Sequence, residues 1–197
     1  MSAASQLPYL MTVAEFLDWE TPDGSDRWEL IDGTPEAMAP ASDRHGAIHG
    51  EVARLIGNHL ADTRPDCRVI IESGTRPNEH NVRVPDLSIT CGPLDPGARL
   101  GNPLLVIEIL SPSNWRRTWA NVTLYKTVPG IQEILVLHST EIAAELLRRE
   151  PDGAWPGGPL HLIAGDDVHL ESIGFSAPLV AFYRTSGMVP PADVSAA

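Results

Sequence analysis

The sequence predicts a mixed α/β domain in which helices pack against a central sheet that carries added antiparallel hairpins. Two features support this fold class. Short apolar runs of strand length alternate with segments whose apolar residues recur at helical spacing, and turns rich in Gly, Pro and Asp separate them. With 197 residues, the chain is long enough for one domain with a substantial core. We therefore expect a single domain over residues 1–188 and a disordered Pro- and Ala-rich tail over 189–197.

The N-terminal part predicts a helix, a hairpin and a longer helix. Residues 11–18 begin with the spacing of a capping box, which predicts a short helix. Residues 27–40 read as two short strands joined by Asp32-Gly33, a dipeptide that suits a tight hairpin turn. Residues 44–61 place apolar side chains at helical spacing, so a second helix is expected there.

The rest of the chain is richer in strands. Apolar runs predict strands over 67–73, 84–91, 104–110 and 133–139, with a helix over 114–127 between the last two. In that helix the expected buried positions are Trp115, Trp119, Val122 and Tyr125, and core packing of the tryptophans is favoured over base stacking. Further antiparallel strands and a short final helix are expected over 143–150, 160–164, 167–172 and 177–185.

Composition limits the possible partners. The formal net charge is −12, with Lys126 as the single lysine and 26 acidic residues. A protein that binds nucleic acid through its overall field is usually basic, so this chain would need a local arginine patch, a divalent metal, or both.

No apolar run is long enough for a membrane span and the N-terminus lacks a signal peptide, so a cytoplasmic protein is expected. In that compartment, Cys67 and Cys91 are expected as reduced core thiols rather than a disulfide.

One charged residue interrupts the most apolar strand. In "LLVIEILSPS", residues 104–113, Glu108 has only aliphatic neighbours until Ser111. A carboxylate in a strand buried on both faces needs a partner, because burying an unpaired charge is costly. In the preceding strand, Asp86 follows a proline and lies on the face opposite Leu87 and Ile89, which places it beside Glu108.

Two neighbouring carboxylates predict a cation between them. Like charges a few ångström apart repel, and a hard divalent ion, Mg²⁺ or Mn²⁺, relieves the repulsion. Asp86 and Glu108 are therefore candidate ligands, and the backbone carbonyl of Ile109 is a candidate third oxygen. The alternative for Glu108 is a bond to arginine or backbone, and the alternative for Asp86 is a turn residue that caps backbone amides.

The blocks "RWELIDG", "VRVPDLSIT", "LLVIEILSPSN" and "LYKTVPGIQEILVLHS" occur in this order. Together they resemble the Uma-type restriction endonuclease family of the PD-(D/E)xK nuclease-like superfamily, over about residues 11–185. The resemblance implies a restriction-endonuclease-like sheet flanked by helices, with Asp86 and Glu108 as metal ligands and Glu29 as an acidic residue at the same site. It also implies hydrolysis of phosphodiester bonds, in which the ion activates water and stabilises charge in the transition state.

The sequence departs from this pattern at the expected lysine. Leu110 stands two residues after Glu108, and the helical position one turn before Tyr125, where the family usually has a lysine, is Asn121. The candidate phosphate contacts near the predicted site are Arg76, Arg83, Arg116, Arg117, Lys126 and His45, and ordinary surface salt bridges are the alternative for the arginines.

Two functions from different classes follow. The first is an endonuclease that cleaves DNA with Mg²⁺ or Mn²⁺ bound by the carboxylate pair. The second is a catalytically weakened relative that binds metal or nucleic acid as an interaction module, as the missing lysine and the net charge of −12 suggest. An acidic scaffold that binds neither ligand is a third reading. A homodimer is expected, because one acidic subunit offers a duplex little basic surface and similar nucleases are often dimers.

Overall fold

The structure is a computed structural model, and it describes residues 9–96 and 99–189. Its α-helices are α1 (Val13–Leu17), α2 (Asp43–Thr63) and α3 (Trp115–Tyr125), and a 3₁₀ helix spans Leu179–Tyr183. The first six strands are β1 (Trp28–Ile31), β2 (Thr34–Ala37), β3 (Cys67–Ile71), β4 (Thr75–Asn78), β5 (Asn81–Arg83) and β6 (Leu87–Cys91). The remaining six are β7 (Leu105–Leu110), β8 (Glu133–His138), β9 (Ala143–Arg148), β10 (Leu160–Ile163), β11 (Asp167–Leu170) and β12 (Phe175–Pro178).

A six-stranded mixed sheet in the order β10-β9-β8-β7-β6-β3 forms the centre of the fold. Strands β7 and β8 are parallel, and the other neighbours in this sheet are antiparallel. A parallel pair needs a crossover connection, and α3 supplies it between β7 and β8. The two central strands are apolar almost throughout, as expected for strands covered on both faces.

Helices cover the two faces of the central sheet. On one face, α2 packs with the 3₁₀ helix and the β11–β12 hairpin over Leu87, Ile107 and Leu135. On the other face, α3 packs through Val122 and Tyr125. Side chains alternate along each strand, so neighbouring residues of β7 belong to different cores. This alternation places Glu108 on the α3 face.

A smaller antiparallel sheet, β2-β1-β5-β4, packs against α1. Its first hairpin turns at Asp32 and Gly33, which have φ values of 47° and 80°. Two successive positive φ values define the turn type that matches the twist of a two-residue hairpin. The segment from β5 through Val84 and Pro85 leads directly into Asp86 and β6, so it connects the small sheet to the central one.

The structure confirms the predicted fold class and corrects several details. Strands β4, β5 and β12 were not predicted, because they are short and carry no alternating apolar pattern. The prediction that Trp115 is buried is wrong, since 52% of its surface is exposed. The predicted tail covers 189–197; Val189 is buried against the core, and residues 190–197 lie outside the described part of the chain.

The prediction of reduced thiols is also wrong for this structure. Cys67 begins β3, Cys91 ends β6, and the two form a disulfide. The antiparallel register sets them directly opposite each other, with their Cα atoms 3.9 Å apart. The number and spacing of the cysteines carry no information on strand register, so the pairing was not predictable from them.

Within the described residues, no helix combines the length and the apolar character needed to cross a membrane. The cytoplasmic location stays a prediction.

A buried ion pair fixes the C-terminal 3₁₀ helix to α2. Glu51 is 4% exposed and receives two bonds from Arg184, at 2.8 and 3.0 Å, and another from Arg54. Burial opposes ionisation of Glu51, but the two arginines outweigh it and lower the pKa of the carboxyl. The pair therefore stabilises the folded state when Glu51 is ionised.

We expect Glu51→Gln to lower the free energy of unfolding by about 2 kcal/mol at pH 7, because charged hydrogen bonds are lost. Since the folded-state pKa is lowered, the difference from wild type persists above the ordinary glutamate pKa of about 4.3 and disappears as pH falls through the lowered value. Urea unfolding between pH 3 and 7 measures this. Glu79→Gln, which affects the exposed pair with Arg76, is the matched control and should change stability by less than about 0.5 kcal/mol.

Candidate active site: a carboxylate pair in a cleft

Asp86 and Glu108 lie side by side on neighbouring strands. Leu87 of β6 pairs with Ile107 of β7 in an antiparallel register. One position further, the same register sets Asp86 opposite Glu108, and partners in an antiparallel pair share a face of the sheet. The sequence-predicted juxtaposition of the two carboxylates is therefore present.

Different donors hold the two carboxylates. The Tyr125 hydroxyl donates to Glu108 Oε1 at 2.7 Å, and the side chain of Asn121 also favours the charged form of Glu108. The backbone N–H of Ile109 donates to Asp86 Oδ2 at 2.6 Å, and His45 Nε2 lies 3.0 Å from Asp86 Oδ1. Ile109 thus reaches the site through its N–H; its carbonyl as a third ligand stays a prediction.

The electrostatics of the pair are unfavourable without a cation. Burial raises the pKa of Glu108 well above its usual range, and the charges of Asp86 and Glu29 raise it further. Burial, together with the charge of Glu108, likewise raises the pKa of Tyr125, so its hydroxyl remains a donor at neutral pH. At His45, burial opposes protonation, but the hydrogen bond and charge of Asp86 outweigh it and raise the pKa of the imidazole.

Glu29 lies near the pair but is bound to other groups. Although it belongs to a hairpin strand, it is 3% exposed. Its Oε1 accepts from the Val84 N–H at 2.8 Å, and its Oε2 accepts from Arg117 of α3. Glu29 therefore joins the small sheet, the segment before Asp86 and α3 into one unit, and its charge reaches Glu108. The structure therefore places Glu29 near the site and supports a role for Glu29 in positioning Arg117.

The carboxylates form the floor of a cleft of about 1260 Å³. The N-termini of α2 and α3 both open onto this cleft, through Ser42–His45 and Asn114–Thr118. Helix N-termini carry partial positive charge and unpaired backbone N–H groups, which favour anions. The cleft thus combines an acidic floor with walls that can accept phosphate.

The structure brings some of the predicted phosphate contacts to the cleft and places others elsewhere. His45, Arg116 and Arg117 line it. Arg76, Lys126 and Arg83 do not: Arg76 pairs with Glu79, Lys126 ends α3, and Arg83 is buried behind the site, where burial lowers the pKa of its guanidinium.

Two cleft arginines were not among the sequence candidates for ligand contact, and one tryptophan of the cleft was expected to pack in the core rather than to stack on a base. Arg27 lines the cleft and pairs with Glu72, while Arg44 is exposed beside His45. Trp115 lies at the cleft wall, with the guanidinium of Arg116 5.5 Å from its ring centroid. The sequence feature that could have indicated Arg44 as a ligand contact is its position next to His45, in the first turn of a predicted helix.

The donor set fits a hard divalent cation. In residues 9–96 and 99–189, the sole trio of His, Cys, Asp or Glu ligand atoms within 4.8 Å of one another is Asp66, Cys67 and Cys91, where the sulfurs are already bonded to each other. Glu29, Asp86 and Glu108 therefore form no preassembled three-carboxylate cage. A cation between Asp86 and Glu108 would relieve the repulsion that raises the pKa of Glu108, and oxygen ligands suit Mg²⁺ or Mn²⁺.

A mixed sheet flanked by helices, with two carboxylates on adjacent strands at the floor of a cleft, defines the restriction-endonuclease-like class of folds. The family model described as "Uma2: Putative restriction endonuclease" matches residues 13–175. The chain belongs to this family.

The chain is also similar to individual proteins. It is 33% identical over 176 residues to "Uncharacterized protein slr1290" of Synechocystis sp., covering 86% of this chain and 90% of that protein. A crystal structure of a "putative nuclease belonging to DUF820" from Anabaena variabilis superposes with a TM-score of 0.72 at 19% identity, covering 89% of this chain and 99% of that one. The superposition shows a shared fold.

Replacing either of the two buried glutamates of the central sheet with glutamine should change the stability of the protein, but in opposite directions. Glu133 is 1% exposed and accepts from Arg148, from the Glu171 and Ser172 N–H groups and from the Ser172 hydroxyl, so its charge is well solvated by the protein. Glu108 faces another carboxylate instead. We expect Glu108→Gln to raise the free energy of unfolding by about 1 kcal/mol or more at pH 7, because a glutamine keeps the Tyr125 contact without the charge.

Glu133→Gln, the matched control, should lower the free energy of unfolding by about 3 kcal/mol. Thermal unfolding in excess chelator measures both, and the expected rise for Glu108→Gln is about 2–4 °C in Tm. A loss of stability in Glu108→Gln comparable to that in Glu133→Gln would show that Glu108 is an ordinary structural ion-pair residue.

Proposed function

We propose that the protein is a Mg²⁺- or Mn²⁺-dependent endonuclease that hydrolyses phosphodiester bonds of DNA. The observation that carries this proposal is the juxtaposition of Asp86 and Glu108 at the floor of a cleft. Family membership and the nuclease-like fold support the same reaction class. When bound, the cation would supply positive charge that polarises the phosphoryl group and stabilises charge in the transition state.

The residues of the chain would orient this site. The Ile109 N–H and His45 fix both oxygens of Asp86, and each oxygen keeps a lone pair for a cation. Tyr125 fixes Oε1 of Glu108 and leaves Oε2 available. Arg117, held by Glu29 and Glu36, places a guanidinium on the cleft wall, where it can contact phosphate. In this proposal His45 positions Asp86 rather than binding phosphate itself.

Exposed arginines at the cleft could contact a polyanionic substrate, although the net charge of the chain is −12. Arg44 and Arg116 are exposed at the cleft, and the described residues offer neither of them an ion pair. The exposed Trp115 ring can stack against a base. A homodimer remains part of the proposal, because a second cleft would add another set of these cationic groups along a duplex.

The second candidate is a relative that binds cation and nucleic acid with little turnover. The observation that favours it is the absence of an ammonium group at the carboxylate pair: Asn121 lies against Glu108, and Lys126 does not line the cleft. Arg117 lies on the cleft wall, but its guanidinium is engaged by Glu29. Both candidate functions use the same cation site, but only the endonuclease cleaves DNA at an appreciable rate.

Cleavage of plasmid DNA in Mg²⁺ or Mn²⁺ tests the proposed reaction. We expect nicked or linear product from wild type and none in chelator. Asp86→Asn and Glu108→Gln should each give at least about 10²-fold less product, because either substitution removes a charged ligand of the cation. Glu72→Gln, which changes another acidic residue that lines the cleft, should retain activity within about twofold.

The outcomes separate the candidates. Equal cleavage by wild type and Glu108→Gln would mean that the activity comes from elsewhere. Absence of cleavage, combined with Mn²⁺ binding that Asp86→Asn removes in calorimetry, would establish the binding relative instead.

Arg44 and Arg116 should carry the phosphate contacts. We expect the double variant Arg44→Ala/Arg116→Ala to weaken binding of a DNA duplex by at least about tenfold at low salt, and to reduce the slope of log K against log salt by about 2. Fluorescence anisotropy in Ca²⁺ at several salt concentrations measures this. Arg76→Ala removes an equally exposed arginine outside the cleft and should leave affinity and slope unchanged. Equal losses in both variants would indicate nonspecific surface attraction.

A further inference from the structure

One buried oxygen of the cleft has no hydrogen-bond donor. Among the described residues, four buried side-chain atoms lack a partner, namely His49 Nε2, Arg68 Nη1, Arg83 Nε and Asn121 Oδ1. Asn121 Oδ1 is the oxygen in this set, and Asn121 is the one of these residues that lines the cleft. The residue is 6% exposed. A buried carbonyl oxygen without a donor is unfavourable, so such an atom at a ligand site requires an explanation.

The orientation of the Asn121 amide follows from its neighbour. Asn121 lies against Glu108, its Oδ1 is the amide atom without a partner, and an amide N–H beside the carboxylate favours the charged form of Glu108. The reversed amide would direct its oxygen at the carboxylate and set two acceptors against each other. The carbonyl oxygen is therefore the atom left over beside Glu108.

Helix α3 fixes this atom firmly. Asn121 and Tyr125 are four residues apart on α3, which places both on the same face, over Glu108. Val122 and Tyr125 anchor the helix in the core on the α3 side of the sheet. Movement of the oxygen toward a donor elsewhere in the protein is thereby restricted.

We propose that Asn121 Oδ1 is a third, neutral oxygen ligand of the cation bound by Asp86 and Glu108. This inference rests on the cation site of the proposed function and goes beyond it by naming a ligand. In the part of the chain that the structure describes, no His, Cys, Asp or Glu ligand atom completes a trio with the pair within 4.8 Å, so a third protein donor would be of another kind. An amide oxygen is a usual ligand of hard divalent cations and adds no further negative charge to a buried carboxylate pair.

An asparagine suits this position when a cation binds there. An apolar side chain would avoid the orphaned oxygen but would offer the cation no ligand. The amide can direct its N–H at Glu108 and its oxygen at the cation. The position then holds no fixed positive group that could offset phosphate charge.

Mn²⁺ titration calorimetry on the full metal-free chain tests the ligand role. We expect Asn121→Leu, which has a similar size without the oxygen, to weaken Mn²⁺ binding by at least about tenfold. Asn121→Asp should tighten binding by about tenfold, because it adds a charged oxygen at the same point. Thr118→Val is the matched control, since it removes a hydroxyl one turn earlier on α3 in a residue that also lines the cleft, and its affinity should stay within about twofold of wild type.

Thermal unfolding in chelator provides a readout without the cation. Asn121→Leu loses the N–H beside Glu108 but also removes a buried oxygen without a donor, so the two effects on the free energy of unfolding oppose each other. The Tm of the metal-free chain should fall by no more than about 2 °C, and a larger drop would assign the asparagine a structural role. Wild type that binds Mn²⁺ only when Asp86 is intact, together with unchanged affinity in Asn121→Leu or Asn121→Asp, would overturn the ligand role and leave the proposed function standing. Wild type without Mn²⁺ binding would overturn both.

Discussion

The buried charge of Glu108 is the constraint around which the site is organised. The strand of Glu108 is covered on both faces; a tyrosine hydroxyl donates to Glu108, and an amide and a second carboxylate across the strand pair lie close enough to affect its charge. Glu133, on the neighbouring strand, is equally buried but has an arginine, two backbone N–H groups and a hydroxyl. The protein thus supplies Glu133 with donors that stabilise its charge, whereas Glu108 faces a second carboxylate. That difference is the reason for proposing a ligand site at Glu108 rather than a structural ion pair.

The fold supplies each partner of this charge from a separate element. The β7–β8 crossover returns through α3, which lays Tyr125 and Asn121 over Glu108. The small sheet leads through Val84 and Pro85 to Asp86, and the N-terminus of α2 brings His45 to that carboxylate. Because these elements are far apart in the chain, the site exists only when the central sheet, both helices and the small sheet are assembled.

How far the sequence predicts this arrangement depends on the range of each interaction. Glu108 was identifiable because a single charge interrupts an apolar strand, and Asp86 because alternation within one strand fixes its face. Other features depend on strand register and helix rotation, which local sequence patterns do not encode. They are the disulfide between Cys67 and Cys91, the exposure of Trp115, and the cleft positions of Arg27 and Arg44. The contact between Asn121 and Glu108 belongs to the same group, since it requires the helix to be placed on the sheet.

The charge distribution also constrains the order in which ligands can bind in the proposed function. A polyanion that approaches the cleft meets Arg44, Arg116 and two helix N-termini at the walls, but two carboxylates at the floor. Without a cation, the floor repels the phosphate that the walls attract, whereas a bound divalent ion reverses the sign of the interaction at that point. Cation and nucleic acid should therefore raise each other's affinity, because linkage makes the coupling free energy the same in both directions. In an acidic chain, such coupling would confine binding of nucleic acid to the cation-loaded form.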